Sequence, residues 1–152
     1  MITRRSLLVL AAATPVVAIL ARPAMAASPA TFAVDGLAIR GTDPVAYFAG
    51  NGPVAGSVDY QVMWKGATWR FASAENMARF EADPMGFAPQ YGGYCAFAMS
   101  RGYIASTDPD AWTLHEGKVY LNYSVSVRTR WVPEIAENIA LADANWPSAL
   151  EG

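Results

Sequence analysis

The sequence predicts an α+β domain: two antiparallel β-hairpins packed by short helices, with an amphipathic helix at the C-terminal end. Three observations lead there. Two β-rich runs, DYQVMWKGATWRF and AWTLHEGKVYLNY, are each broken at the centre by a residue followed by glycine, the pattern of a tight hairpin turn. Each run is followed by a serine, Ser73 or Ser124, placed to cap a helix. Near the end, Ile135, Ile139, Ala142 and Trp146 recur at helical spacing and make one apolar face.

The elements follow in chain order. MITRRSLLVLAAATPVVAILARPAMA has Arg4 and Arg5, an apolar run from Leu7 to Leu20, and the small-x-small ending Ala24-Met25-Ala26. This is the layout of a secretory signal over residues 1–26, cleaved after Ala26. The run falls short of the ~20 apolar residues of a membrane span. TRRSLL further resembles a twin-arginine signal, a receptor-read address. The expected location is the periplasm, with no membrane span in the mature chain. Residues 27–152 then form a single domain. FAVDGLAIRG should supply one short strand, DPVAYF follows, and NGPVAGS is turn-rich. The first hairpin turns at Lys65-Gly66, and Ser73 opens a helix ending before Pro84, with Ala74, Met77, Ala78 and Phe80 on its packed side. A short helix is expected from near Tyr94 to Gly102. The second hairpin turns at Glu116-Gly117, and Ser124 opens the helix SVSVRTRWV. Pro133 suits the first turn of a last, separate helix. A shift of 51 residues places Gly66 on Gly117, Trp69 on Tyr120, Ser73 on Ser124 and Phe80 on Trp131. This is a sparse sign of an internal repeat.

Charge excludes one class of function. Without Arg4, Arg5 and Arg22, 8 basic residues face 13 acidic ones, a net of −5. With no Lys/Arg run, no nucleic-acid partner is expected.

The stretch PQYGGYCAFAMSRG holds the chain's one cysteine, Cys95. In an oxidising compartment an odd thiol points to metal binding, reactivity or intermolecular pairing; it can equally be a small buried hydrophobe. Three functions stay open. In the first, Cys95 binds copper with Met99 and His115 as candidate partners. Cys95 and Met99 share a helix face, and thiolate with thioether suits Cu(I). Met63, Met77 and Met85 are the other methionines of the folded part, and such residues are commonly core filler. A single histidine excludes a blue-copper site and a Cys/His zinc site. In the second, aromatic residues line a pocket for an organic cofactor or a protein partner. Tyr91, Gly92, Gly93, Tyr94 and Phe97 are its candidate lining, in a wider aromatic stretch with Tyr103, Trp112, Tyr120 and Tyr123; a packed core is the plainer explanation. In the third, Cys95 is an enzyme nucleophile with His115 as base. No CxxC is present, which excludes a dithiol oxidoreductase.

DPVAYF, WKGATWRFASAENMARFEADPMGFAPQYGGYCAFAMSRG, GKVYLNY and the closing ANWP resemble the YHS-domain family, in its exported bacterial branch. The resemblance spans nearly all of residues 27–152. It implies the fold above and a suspected metal-binding role. It also implies a cysteine pair at the corner between hairpin and helix, where this chain has Ala72 and Asn76, neither able to replace a thiolate. The family's metal role therefore does not transfer at that corner, and any site of this branch centres on Cys95. The reading favours non-enzymatic copper binding or delivery, with a metal ion or a periplasmic protein as the expected partner.

Overall fold

The computed structural model describes residues 26–152; the expected signal segment lies outside the described residues up to position 25. The expected α+β class is observed. FAVDGLAIRG forms two strands rather than one: β1 (Ala33–Val34) and β2 (Leu37–Ala38) pair antiparallel about Asp35-Gly36. Both turn residues have positive φ, 51° and 77°, as a two-residue hairpin loop of the primed type requires. The first long hairpin is β3 (Ser57–Trp64) with β4 (Ala67–Phe71). β2 adds to β4 in parallel at Leu37↔Thr68, giving a mixed sheet of order β1-β2-β4-β3. Helices α1 (Ala74–Ala82) and α2 (Pro84–Phe87) follow. On α1 only Phe80 is buried and Met77 partly so. Ala74 and Ala78, expected on the packed side, are exposed.

The third short helix, α3, spans Ala96–Ser100. The second long hairpin, β5 (Asp108–His115) with β6 (Lys118–Asn122), forms its own two-stranded sheet. After it come α4 (Val125–Trp131) and α5 (Ile135–Asn145). These two were expected as separate helices. They are instead joined without a loop by a 3-10 turn, Val132–Glu134, that takes up Pro133. Proline fits there because the start of a helical turn needs no N–H at that position.

The internal repeat is structural. Every bound of β3 and β4 recurs 51 residues later in β5 and β6. So does the pairing register, including a bulge between Ser57 and Gln61 that returns between Asp108 and Trp112. The bulges are closed alike: Asp59 N–H donates to Ser57 Oγ (3.1 Å), and Asp110 N–H to Asp108 Oδ1 (2.9 Å). Turn residues Lys65-Gly66 and Glu116-Gly117 have φ of 46° and 77°, then 49° and 74°. Ser73 and Ser124 cap α1 and α4, each accepting from the N–H three residues on, at 3.1 Å.

Two apolar cores follow, largely one per unit. Tyr47, Trp69, Phe71 and Phe80 dominate the first; Tyr91, Tyr94, Met99, Tyr120 and Trp131 dominate the second. β6 serves both, because alternate side chains of a strand point to opposite faces. Val119 and Leu121 enter the first core and Tyr120 the second.

Candidate ligand pocket

The lone cysteine finds its explanation in the repeat. In the first unit Asp43 is fully buried and its carboxylate gathers four donors. Oδ1 accepts from Val45 N–H (2.8 Å) and Ala46 N–H (3.3 Å); Oδ2 accepts from Ala72 N–H and Asn76 Nδ2, both at 2.8 Å. Asp43 N–H itself donates to the carbonyl of Val54. In the second unit Cys95 N–H donates to the carbonyl of Ala105, and Cys95 Sγ accepts from Tyr123 N–H (3.3 Å) and Ala98 N–H (3.5 Å). Tyr123 and Ala105 stand 51 residues after Ala72 and Val54, and Ala98 stands 52 after Ala46. Cys95 thus occupies the place of Asp43, pinning the hairpin-to-helix corner. Asn122 completes the second corner: its Oδ1 accepts from Phe97 N–H (3.1 Å) and from the thiol (3.5 Å). Cys95 is the N-cap of α3, rather than part of its first turn as the sequence led us to expect.

The three expected copper ligands do not converge. Cys95 is buried with its sulfur engaged as above, and Met99 is buried in the second aromatic core. His115 lies at the turn end of β5 paired with Lys118, whereas Cys95 is held by Asn122 at the other end of β6. Those ends are about 13 Å apart at roughly 3.3 Å per residue. His115 faces Glu116, its Nε2 3.9 Å from Oε1. Among the described residues no group of three or more His, Cys, Asp or Glu side chains is placed to share a metal ion. His115 is therefore not placed to share a ligand with Cys95, and the separation equally deprives Cys95 of His115 as a base. At the corner where the family pattern has cysteines, the Ala72 N–H and the Asn76 amide are both spent on Asp43.

This assigns Cys95 a stability role with a definite expectation. Cys95→Ala leaves the Ala98 and Tyr123 N–H groups without their acceptor and should cost about 2 kcal/mol. Cys95→Ser, which keeps an acceptor and is a favourable N-cap, should cost less. Urea unfolding of the two variants checks the order. In the native wild type, alkylation of the thiol should be much slower than in urea.

The aromatic stretch is dispersed by the fold. Tyr103 and Tyr123 are exposed, and Trp112 packs on Tyr47 in the first core. Tyr94 is buried with its hydroxyl donating to the carbonyl of Pro29 (2.8 Å). The guanidinium groups of Arg101 and Arg130 both lie over the Phe97 ring. The Gly93 carbonyl accepts from Thr107 Oγ1 (2.7 Å). Of the five expected lining residues, Tyr91 and Gly92 line one cavity that Gly93, Tyr94 and Phe97 do not.

That cavity, of about 270 Å3, is walled by Trp64, Trp69, Tyr91 and Trp146, with Lys65, Gln90 and Asp143 among its polar groups. It draws on both units and on the segments flanking them. Trp64, Lys65 and Trp69 come from the first unit, and Gln90, Tyr91 and Gly92 from the second. Ala30, Thr31, Asp143 and Trp146 come from segments flanking both. The walls are fixed. Trp69 Nε1 donates to the carbonyl of Trp64 (3.0 Å), and the two indoles meet edge to face at 5.6 Å. Tyr91 and Trp146 meet the same way at 6.2 Å. Tyr91 has a left-handed backbone (φ 58°, ψ 36°), a strained conformation for a bulky residue that surrounding contacts must hold. Its hydroxyl donates to Asp143 Oδ1 at 2.8 Å. Burial first, then the hydrogen bond and charge of Asp143, push the Tyr91 phenol well above its ordinary value of 10.0. It therefore stays a donor at neutral pH and orients the carboxylate.

A wider hollow of about 350 Å3, beside Val45, Phe48 and Asn76, has Arg79 as its one charged lining residue. That guanidinium already lies over the Phe87 ring, 5.1 Å from its centroid. No family model, curated protein or solved structure was found to match the chain.

Sequence reasoning missed Trp64, Lys65, Trp69, Asp143 and Trp146 as pocket residues. The segments that bring them together are far apart in the chain, and no local motif marks them.

Proposed function

We propose that the chain is an exported YHS-like domain that works as a non-enzymatic binding module, its aromatic-walled pocket holding a small organic ligand with a flat apolar body. One observation carries this reading: a cavity with four aromatic walls and a few polar groups, drawn from both repeat units and the segments flanking them. Binding sites combine apolar walls with a small number of placed polar groups in this way. At about 270 Å3 the cavity is just under the ~300–1,000 Å3 usual for such sites, so the ligand is of amino-acid size rather than a large cofactor. Copper delivery through Cys95, Met99 and His115 draws less support, since His115 stands at the opposite end of the second hairpin from Cys95. Stoichiometric Cu(I) binding that disappears in Cys95→Ser would restore it.

Titration of 3-methylindole, a flat neutral probe, followed by calorimetry and saturation-transfer NMR, should give saturable binding. Trp146→Ala, and Trp64→Leu at the half-buried rim, should each weaken it by roughly tenfold, as loss of a central aromatic contact does elsewhere. Failure of 3-methylindole and of similar flat probes to bind, or affinity indifferent to both variants in folded protein, would sink the reading.

A further inference from the structure

Two opposite charges line this one cavity without meeting each other. Lys65 and Asp143 both belong to its lining, yet among the described residues neither is in an ion pair. Lys65 Nζ instead lies 4.8 Å from the centroid of the Trp64 ring and 3.4 Å from Met85 Sδ. Neither contact neutralises an ammonium group. On the other element, Tyr91 engages only Oδ1 of Asp143, leaving Oδ2 as an acceptor. Trp146, the C-cap three residues after Asp143, lines the same cavity. An ammonium group brought to Asp143 would therefore also meet aromatic faces, a favourable arrangement for a cation.

Resting on the pocket reading above, we propose that the ligand is a dipolar small molecule of the aromatic α-amino-acid class, the ammonium on its α-carbon directed to Asp143, the carboxylate on the same carbon to Lys65 and its ring against the aromatic walls. The same charges argue against the simpler alternatives. A neutral ring alone would make use of neither charge. A plain organic cation would be repelled at Lys65, and a plain anion at Asp143. Only a ligand carrying both signs answers both groups, and neither residue is buried enough to forbid its approach from solvent.

The test is calorimetry with four probes that share one ring system: L-tryptophan, tryptamine, indole-3-propionate and 3-methylindole. L-tryptophan should bind most tightly, roughly tenfold or more above each of the others. Asp143→Asn, which keeps an acceptor for Tyr91, should erase the advantage of tryptophan over indole-3-propionate. Lys65→Gln should erase its advantage over tryptamine. Both sites are exposed, so both variants should fold. If 3-methylindole binds as tightly as L-tryptophan, the pocket reading stands and the dipolar assignment is overturned. If tryptamine or indole-3-propionate binds most tightly, one charged group alone selects the ligand and the assignment is again overturned. If none of the four binds, both readings fall.

Discussion

Replacing Asp43 by alanine should destabilise the protein by about 3–5 kcal/mol, the largest single effect expected here outside the aromatic cores. The carboxylate is fully buried and accepts four hydrogen bonds, three from backbone N–H groups and one from the Asn76 amide. Removing it leaves several buried donors without partners, and each such donor costs about 1–3 kcal/mol unless water or a small shift repairs it. A domain of this size has roughly 5–15 kcal/mol to lose. Asp43→Asn should fare almost as badly, because its amide nitrogen would face donors on one side. Asn76→Ala, which removes one donor and leaves the carboxylate its other three, should cost only about 1 kcal/mol. Urea unfolding checks the ranking, with the midpoint falling and the slope unchanged. An Asp43→Ala variant as stable as Asn76→Ala would show that the corner is held by something else.

The equivalence of Asp43 and Cys95 also explains why the sequence yielded the fold more readily than the site. Hairpin turns and helix caps are written in local chemistry: Lys65-Gly66 and Glu116-Gly117 need positive φ, and Ser73 and Ser124 need only reach three residues ahead. Those features repeat 51 residues apart and could be read directly. The corner residues do not keep that offset. Between the matching left-handed residues Arg40 and Tyr91 and the corner, the second unit has one extra residue, so Asp43 aligns with Cys95 at 52. A one-residue slip and a change from carboxylate to thiol hide the shared role in the sequence. Asp35-Gly36 was a legible turn that was missed because its strands have only two residues each. The aromatic stretch misled for another physical reason. Strand alternation and exposed turns scatter neighbours in sequence, so Tyr120 enters one core while Val119 and Leu121 enter the other. The pocket was illegible because its walls are assembled by tertiary contact alone.

The second large effect should come from Gly92→Ala, and it bears on stability and binding together. Gly92 has φ +63°, and a Cβ there would collide with the carbonyl oxygen of Ala30 and stand 3.2 Å from the Trp146 ring. The first contact is with backbone and cannot be relieved by a rotamer change. The chain around Ala30 would have to move away, breaking the hydrogen bond from Phe32 N–H to the Gly92 carbonyl (2.9 Å). With the left-handed backbone cost of about 1–2 kcal/mol added, a loss of roughly 3 kcal/mol is expected. Gly93→Ala separates the two causes. Gly93 also has positive φ, +82°, but a Cβ there meets nothing within 4 Å, so only the backbone term of about 1–2 kcal/mol should appear. Ala30 and Trp146 both line the cavity, so Gly92→Ala should abolish 3-methylindole binding under conditions where circular dichroism shows the protein still folded. Gly93→Ala should leave that binding within about twofold of wild type, a difference worth only ~0.4 kcal/mol. Equal losses of affinity in the two variants would mean that the N-terminal segment does not shape the pocket, and that the wall formed by Ala30 is incidental.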